Sequence, residues 1–263
     1  MVDNELEELV SIFSTRAILR SLIPGCTIDI GALSLDDAYT VQEQVIERRV
    51  AKGERVVGYK VGCTSRDIRR QFGLKDPMAG RLMAPFVYTG ETVLNWHDYI
   101  QCAVEPEFVF GIRCNVTSQL TDEESLLDSI EWMAPGIEIH NHKFWFGQAS
   151  SQELIASNGI HAALVVGEHR VPPRSFNTTR EGVGLFRNGA LEASGIGAEI
   201  MGGPLKSLCW LINHLAQRGK CLQAGQLVIP GSPVNLVSVQ PNDRITADFT
   251  CLGKVEVQFS ESS

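Results

Sequence analysis

Apolar residues recur at helical spacing along residues 5–22, through Leu6, Leu9, Val10, Phe13, Ala17 and Leu19, and the stripe closes at Pro24 and Gly25. That period predicts an amphipathic helix. A second helix is predicted from Ser34, whose hydroxyl can cap while Asp37 completes a capping box. Its stripe runs through Ala38, Val41, Val45 and Ile46 to a stop at Gly53. From Val56 the pattern shortens to β-rich segments: Val56–Val61, Thr92–Leu94, Val104–Ile112, Gly136–His140, Ala162–Val166, Val183–Arg187, Gln226–Ile229, Arg244–Cys251 and Lys254–Phe259,. Two further helices interrupt them. One follows a capping box of Thr121 and Glu124 and carries Leu126, Leu127, Ile130 and Met133; the other opens at Pro204 and runs to Gly219,. The pattern therefore divides the chain into an N-terminal helical lobe, residues 1–55, and a β-rich body, residues 56–263.

Composition narrows the function classes. The 263 residues are 44% hydrophobic and 21% charged, as in ordinary globular proteins,. The net charge of −8 repels phosphate backbones, which excludes nucleic acid as the expected partner,. No apolar run approaches the ~20 residues needed to span a bilayer, and the acidic start at Asp3, Glu5, Glu7 and Glu8 is unlike a secretory signal. A cytoplasmic protein with no membrane association is expected. The 7 cysteines form no C-x-x-C pair and read as reduced and mostly buried,.

Candidate chemistry concentrates in Val104-Glu105-Pro106-Glu107-Phe108-Val109-Phe110, where strand alternation places Glu105 and Glu107 on one face and both phenylalanines on the other,. In Gly136-Ile137-Glu138-Ile139-His140 the same alternation sets Glu138 beside His140. Were the two strands neighbours, three carboxylates would converge and call for a hard cation, Mg²⁺ or Mn²⁺. Three solvated glutamates on open strand faces is the other reading, and spacing leaves both standing. Lys60, inside an apolar strand, is either buried near a carboxylate or a lysine that snorkels to water. Ser194–Pro204 is glycine-rich before a helix and suggests an anion site, but Ile200 stands where a dinucleotide fingerprint needs its third glycine. The 6 histidines lack metal-ligand spacing and read as structural, and no Gly-x-Ser-x-Gly elbow is present.

Three segments in this order, Gly58-Tyr59-Lys60-Val61-Gly62-Cys63-Thr64-Ser65, Val104-Glu105-Pro106-Glu107 and Pro135-Gly136-Ile137-Glu138, resemble the 2-keto-4-pentenoate hydratase and 4-oxalocrotonate decarboxylase family of the fumarylacetoacetate hydrolase superfamily. The likeness continues through Gly195–Pro204, Trp210-Leu211, Gly225-Gln226 and Gly231-Ser232 to Gly253. It implies an α+β fold, a mixed β-roll body with an N-terminal helical lobe. It also implies a divalent metal, Mg²⁺ or Mn²⁺, on Glu105, Glu107 and Glu138. The metal would chelate the 2-keto or 2-enol carboxylate end of a short unsaturated acid, with Lys60 and Ser157 as catalytic groups and Gly62, Thr64, Ser65, Gly231 and Ser232 around the substrate. The family also implies a homo-oligomer or a complex with a related chain. Hydration and decarboxylation share the same electron sink.

The sequence departs from the family pattern at Ser157, where an acidic residue is expected before Asn158, at Met78, where an aspartate is expected, and at Gly203, where a histidine is expected. These changes would thin the acid/base set around an intact metal cage, leaving Lys60 and Ser157 as candidates, with His140, His142 and Lys143 as replacements should their loop fold over the pocket. Two other classes share that cage: a metal-dependent hydrolase or tautomerase of a 1,3-diketo acid, and a diverged partner subunit with little activity.

Overall fold

The computed structural model describes residues 3–19, 28–117, 122–144 and 149–261. Helix α1 (Asp3–Leu19) buries Leu9, Val10 and Phe13, the stripe that its spacing dictates,. Its expected stop at Pro24 and Gly25 lies outside the described residues, as does Cys26. Helix α2 (Leu35–Ala51) starts as its sequence requires. Ser34 Oγ accepts the Asp37 N–H at 3.0 Å, and the Asp37 carboxylate accepts the Ser34 N–H at 3.3 Å. On its buried face Gln42 is the polar exception, and its amide donates to the carbonyls of Ala79 at 3.1 Å and Ile155 at 2.7 Å. Those bonds fasten α2 to the body.

The body follows in the order β1 (Val56–Gly62), α3 (Arg66–Gln71), β2 (Met78–Met83), β3 (Val87–Thr89), β4 (Thr92–Asn95), β5 (Cys102–Ile112), α4 (Glu123–Ser129) and β6 (Ile130–Asn141). Then come α5 (Ser151–Ala156), β7 (His161–Val166), β8 (Gly182–Arg187), β9 (Ala190–Ile196), α6 (Pro204–Gln217), β10 (Leu227–Ile229), β11 (Val237–Ser238), β12 (Arg244–Phe249) and β13 (Gly253–Ser260). One sheet runs β2-β1-β10-β5-β6-β7-β3 with β11 added to β5, and the other runs β4-β13-β12-β8-β9. Both mix parallel and antiparallel pairs: β1 with β10 and β4 with β13 are parallel, while β5 with β6 is antiparallel. This is the expected α+β architecture.

The main core lies between the two sheets, where Phe108 of β5 meets Phe249 of β12 edge to face at 5.3 Å,. Helix α6 closes one end with Leu205, Leu208, Leu211, Ile212 and Leu215. A second apolar cluster joins α1 and α2 to Met78, Leu154, Ile155 and Ile160. Gly58 lets β1 approach β10, because a Cβ there would stand 2.1 Å from the Leu227 carbonyl oxygen.

Some expected elements differ. Asp122 caps α4, accepting the N–H groups of Glu124 and Ser125, and Thr121 lies outside the described residues. Ile130 and Met133 belong to β6 instead of that helix, because pairing with β5 begins at Ile130. The glycine-rich run splits into the end of β9, a turn whose Glu199 accepts the Ile196 N–H, and the start of α6. Of the described cysteines only Cys102 is buried, and Cys114 and Cys251 are exposed, so the expectation of mostly buried thiols fails. No described helix is long and apolar enough to cross a membrane.

Candidate active site

The chemistry begins with two central strands. In β5 alternation turns Glu105 and Glu107 to one side and sends Phe108 and Phe110 into the core,. Antiparallel pairing with β6 sets Glu105 opposite Glu138 and Ala103 opposite His140. The carboxylates expected to converge are therefore cross-strand neighbours on one face. Strand β7 adds His161 opposite His140, and β1 brings Lys60 from beyond β10.

Lys60 is 3% exposed and Glu138 1%. The ammonium donates to Glu138 Oε1 at 2.8 Å and to the Gly159 carbonyl at 3.0 Å. Burial alone would lower the pKa of Lys60, but Glu138, Glu105 and Glu107 reverse that effect and hold it above the usual lysine value,. Burial works against ionised Glu138 as well; there His140, Lys60 and His161 prevail and hold its carboxyl well below the usual range. Glu107 moves the other way, because burial and the neighbouring charges of Glu138 and Glu105 push its pKa well up. Only Lys60 and the N–H of Gly231, which donates to Glu107 Oε2 at 3.0 Å, oppose that rise.

The turn that fixes Lys60 is itself pinned. Asn158 adopts a left-handed φ of 61°, its side-chain oxygen accepts the Arg81 N–H at 2.6 Å, and its amide donates to the Arg81 carbonyl at 2.9 Å. Gly159 follows at φ 64°, where its carbonyl faces the lysine. His161 Nδ1 lies 2.7 Å from Glu138 Oε1, the oxygen that also takes Lys60, and burial lowers the pKa of His161.

Lys60, Gly62, Thr64, Ser65, Glu105, Glu107, Glu138 and Ser232 line one cavity of about 480 Å³. Gly231 acts on it indirectly, through Glu107. Ser157 does not line it: its hydroxyl donates to the Leu154 carbonyl at 3.1 Å, and the residue borders a separate cavity of about 70 Å³. Of the three departures from the family pattern, Met78 alone stands on the main cavity wall. His140 and His142 line it too. The general reading of the histidines as structural fails at His140, which the sequence also offered as a replacement acid/base group, and at His161, both of which stand beside Glu138. His140 was signalled by its position two residues beyond Glu138; His161 was not, since only the β6–β7 register reveals it.

A cation suits this donor set. Glu105, Glu138 and His140 each offer a ligand atom within 4.8 Å of the others, and Glu107 shares the cavity. Neither ring nitrogen of His140 makes an aligned hydrogen bond. One lysine faces three carboxylates, and burial together with the remaining negative charge raises the pKa of Glu107. Cys63 also lines the cavity, but burial pushes its thiol up to about 11, which disfavours a thiolate nucleophile,.

The far wall is apolar. Met78, Leu154 and Ile160 pack with Phe72, Phe144 and Leu236 in one cluster, with the rings of Phe72 and Phe144 5.8 Å apart. Arg69 is tied to the adjoining loop by bonds to the Cys63 and Thr64 carbonyls at 2.9 and 2.8 Å. Lys60 is the one lysine or arginine among the described lining residues.

No family model matches the chain. It is similar to the 2-hydroxypent-2,4-dienoate hydratase of Pseudomonas putida, at 30% identity over 188 residues that span 71% of this chain and 85% of that protein. The 2-keto-4-pentenoate hydratase of Paraburkholderia xenovorans is 27% identical over 88% of this chain and 86% of its own. Among solved structures, 4-oxalocrotonate decarboxylase from Pseudomonas putida G7, complexed with magnesium and adipate, superposes with a TM-score of 0.92 at 25% identity over 98% of both chains. Fumarylpyruvate hydrolase from Pseudomonas aeruginosa, in complex with Mn²⁺ and pyruvate, shares the fold at a TM-score of 0.63 and 16% identity, over 78% of this chain and 89% of that one.

Proposed function

Since the chain belongs to the 2-keto-4-pentenoate hydratase and 4-oxalocrotonate decarboxylase family, we propose that its main cavity carries out divalent-cation-dependent lyase chemistry on a small 2-keto or 2-hydroxydienoate acid. The observation that carries this reading is the convergence of Lys60, Glu105, Glu107 and Glu138 on one cavity wall. Glu105, Glu107 and Glu138 would hold the cation, which when bound supplies Lewis-acid charge against the negative charge that develops on the keto-acid end. Lys60, kept protonated by its carboxylate neighbours, presents a proton at that wall. Glu138 and the Gly159 carbonyl fix where the ammonium points, and His161 fixes Glu138 from behind. Thr64, Ser65 and Ser232 offer hydroxyls for orienting the acid.

The apolar wall favours the hydratase side of the family. A second carboxylate, as in an oxalocrotonate-type acid, would be desolvated against Phe72, Phe144 and Leu236, with no lysine or arginine except Lys60 among the described lining residues, whereas an alkyl or vinyl tail gains by burial there,. Met78 on the wall leaves the delivery of water to other groups, and His142, exposed and with a pKa lowered chiefly by partial desolvation, borders the same space.

The test is to incubate metal-stripped protein with 2-hydroxypenta-2,4-dienoate or 4-oxalocrotonate, with and without Mg²⁺ or Mn²⁺, and to follow dienol loss together with product. Metal-dependent turnover of the dienoate is expected; no metal-dependent turnover of either acid would overturn the reading. Calorimetry provides a second check. Glu107→Gln should weaken Mg²⁺ binding by about an order of magnitude or more, since an amide loses the charge attraction, and unchanged affinity would remove Glu107 from the site.

A further inference from the structure

We propose that His140 is a nitrogen ligand of the same centre, so that the site is a mixed carboxylate and imidazole one whose preference shifts from Mg²⁺ and Ca²⁺ toward Mn²⁺. This rests on the reading that Glu105, Glu107 and Glu138 hold a divalent cation, and adds a fourth protein donor to it. His140 is 2% exposed. Its Nε2 lies 3.1 Å from Glu105 Oε2 and 3.5 Å from Glu138 Oε2, yet neither approach is aligned as a hydrogen bond, and Nδ1 has no partner either. A buried imidazole with both nitrogens unsatisfied is costly, and native proteins seldom tolerate it without a bound species.

Its surroundings favour a ligand over a structural histidine. Across the sheet His140 faces Ala103, whose small side chain leaves the ring room on the cavity face. Were His140 present simply to neutralise the carboxylates, an N–H should aim along the line to one of their oxygens. Glu138 already has that service from Lys60 at 2.8 Å and contact with His161 at 2.7 Å. What remains is a ring nitrogen close to two carboxylate oxygens, with ligand atoms of all three residues within 4.8 Å of one another. Oxygen-only sets suit Mg²⁺ and Ca²⁺, and replacing one oxygen by imidazole moves the preference toward the first-row transition metals.

Mn²⁺ serves as both ligand and probe. Pulsed electron paramagnetic resonance of the Mn²⁺-loaded protein should show the nitrogen-14 modulation of a bound imidazole. His140→Val should abolish that modulation while retaining Mn²⁺, and the ratio of Mg²⁺ to Mn²⁺ dissociation constants from calorimetry should fall by about tenfold. Mn²⁺ bound without nitrogen modulation in the parent, or modulation that persists in His140→Val, overturns the assignment and leaves the three-carboxylate site standing. Failure of the parent to bind either ion overturns the cation reading itself. The parent's spectrum decides the ligand without any variant, and His140→Gln serves as a second imidazole-free protein should the valine variant not fold.

Discussion

Lys60 keeps its proton inside the protein because the carboxylates around it outweigh the cost of burying the charge,. Replacing it by methionine removes that proton and also leaves Glu138 less neutralised. Lys60→Met should therefore lose about 10² or more in kcat while binding Mg²⁺ or Mn²⁺ at least as tightly as the parent, as judged by steady-state kinetics beside calorimetry. Retained turnover, or loss of the ion, would show that the lysine has another part. His214, stacked on Trp210 at 4.8 Å, titrates oppositely: burial first, then Arg218 and Arg81, lower its pKa from 6.5 to about 4. The unfolded chain takes up this proton first, so the contribution to stability is complete above pH 6.5 and disappears as pH falls to about 4,. The melting-temperature gap between the parent and His214→Gln should narrow over that window; a constant gap would refute the assignment. At this scale the sequence displays the period-two placement of Glu105, Glu107 and Glu138 directly. It conceals that Ser157 turns its hydroxyl back on Leu154, since that follows from its place at the end of α5.

At the scale of elements, signals confined to a few neighbouring residues were legible and those depending on pairing were not. The Ser34–Asp37 capping box forms because both partners lie within one helical turn. Strand β2 is buried at all its positions and offers no alternation to read,. The α4–β6 boundary was displaced because Ile130 and Met133 satisfy a helical stripe and a strand equally well until β5 supplies the ladder,. Gly58 makes such pairing dependence measurable. Gly58→Ala would push a Cβ into the Leu227 backbone, forcing β1 away from β10 and displacing Lys60 two residues on. A loss of ~2–3 kcal/mol in chemical denaturation is expected, and an unchanged midpoint would show that the strands yield without cost.

For the molecule as a whole, the mixed sheets and helical layer follow the expected architecture, and the family's three segments meet at one cavity. The apolar wall escaped because its members come from the start of β2, the end of α3, α5 and the loops near residues 144, 160 and 236, which only the fold assembles. That wall gives the prediction proper to this scale. Dienoates with alkyl tails should exceed an acid with a terminal carboxylate by about 10² in kcat/KM, the cost of burying an unpaired charge outweighing any contact it makes. Equal rates would mean that a cation reaches the tail.

The two walls of the cavity have separate structural origins. The carboxylates sit on β5 and β6, each hydrogen-bonded to strands on both sides, while Phe72 lies at the end of α3 and Phe144 and Leu236 lie in loops. Strands held on both flanks tolerate little sequence drift, and loops tolerate a great deal. Descendants of this chain can therefore exchange one tail chemistry for another in a few substitutions without relearning how to activate a keto acid, and a designer can follow the same route.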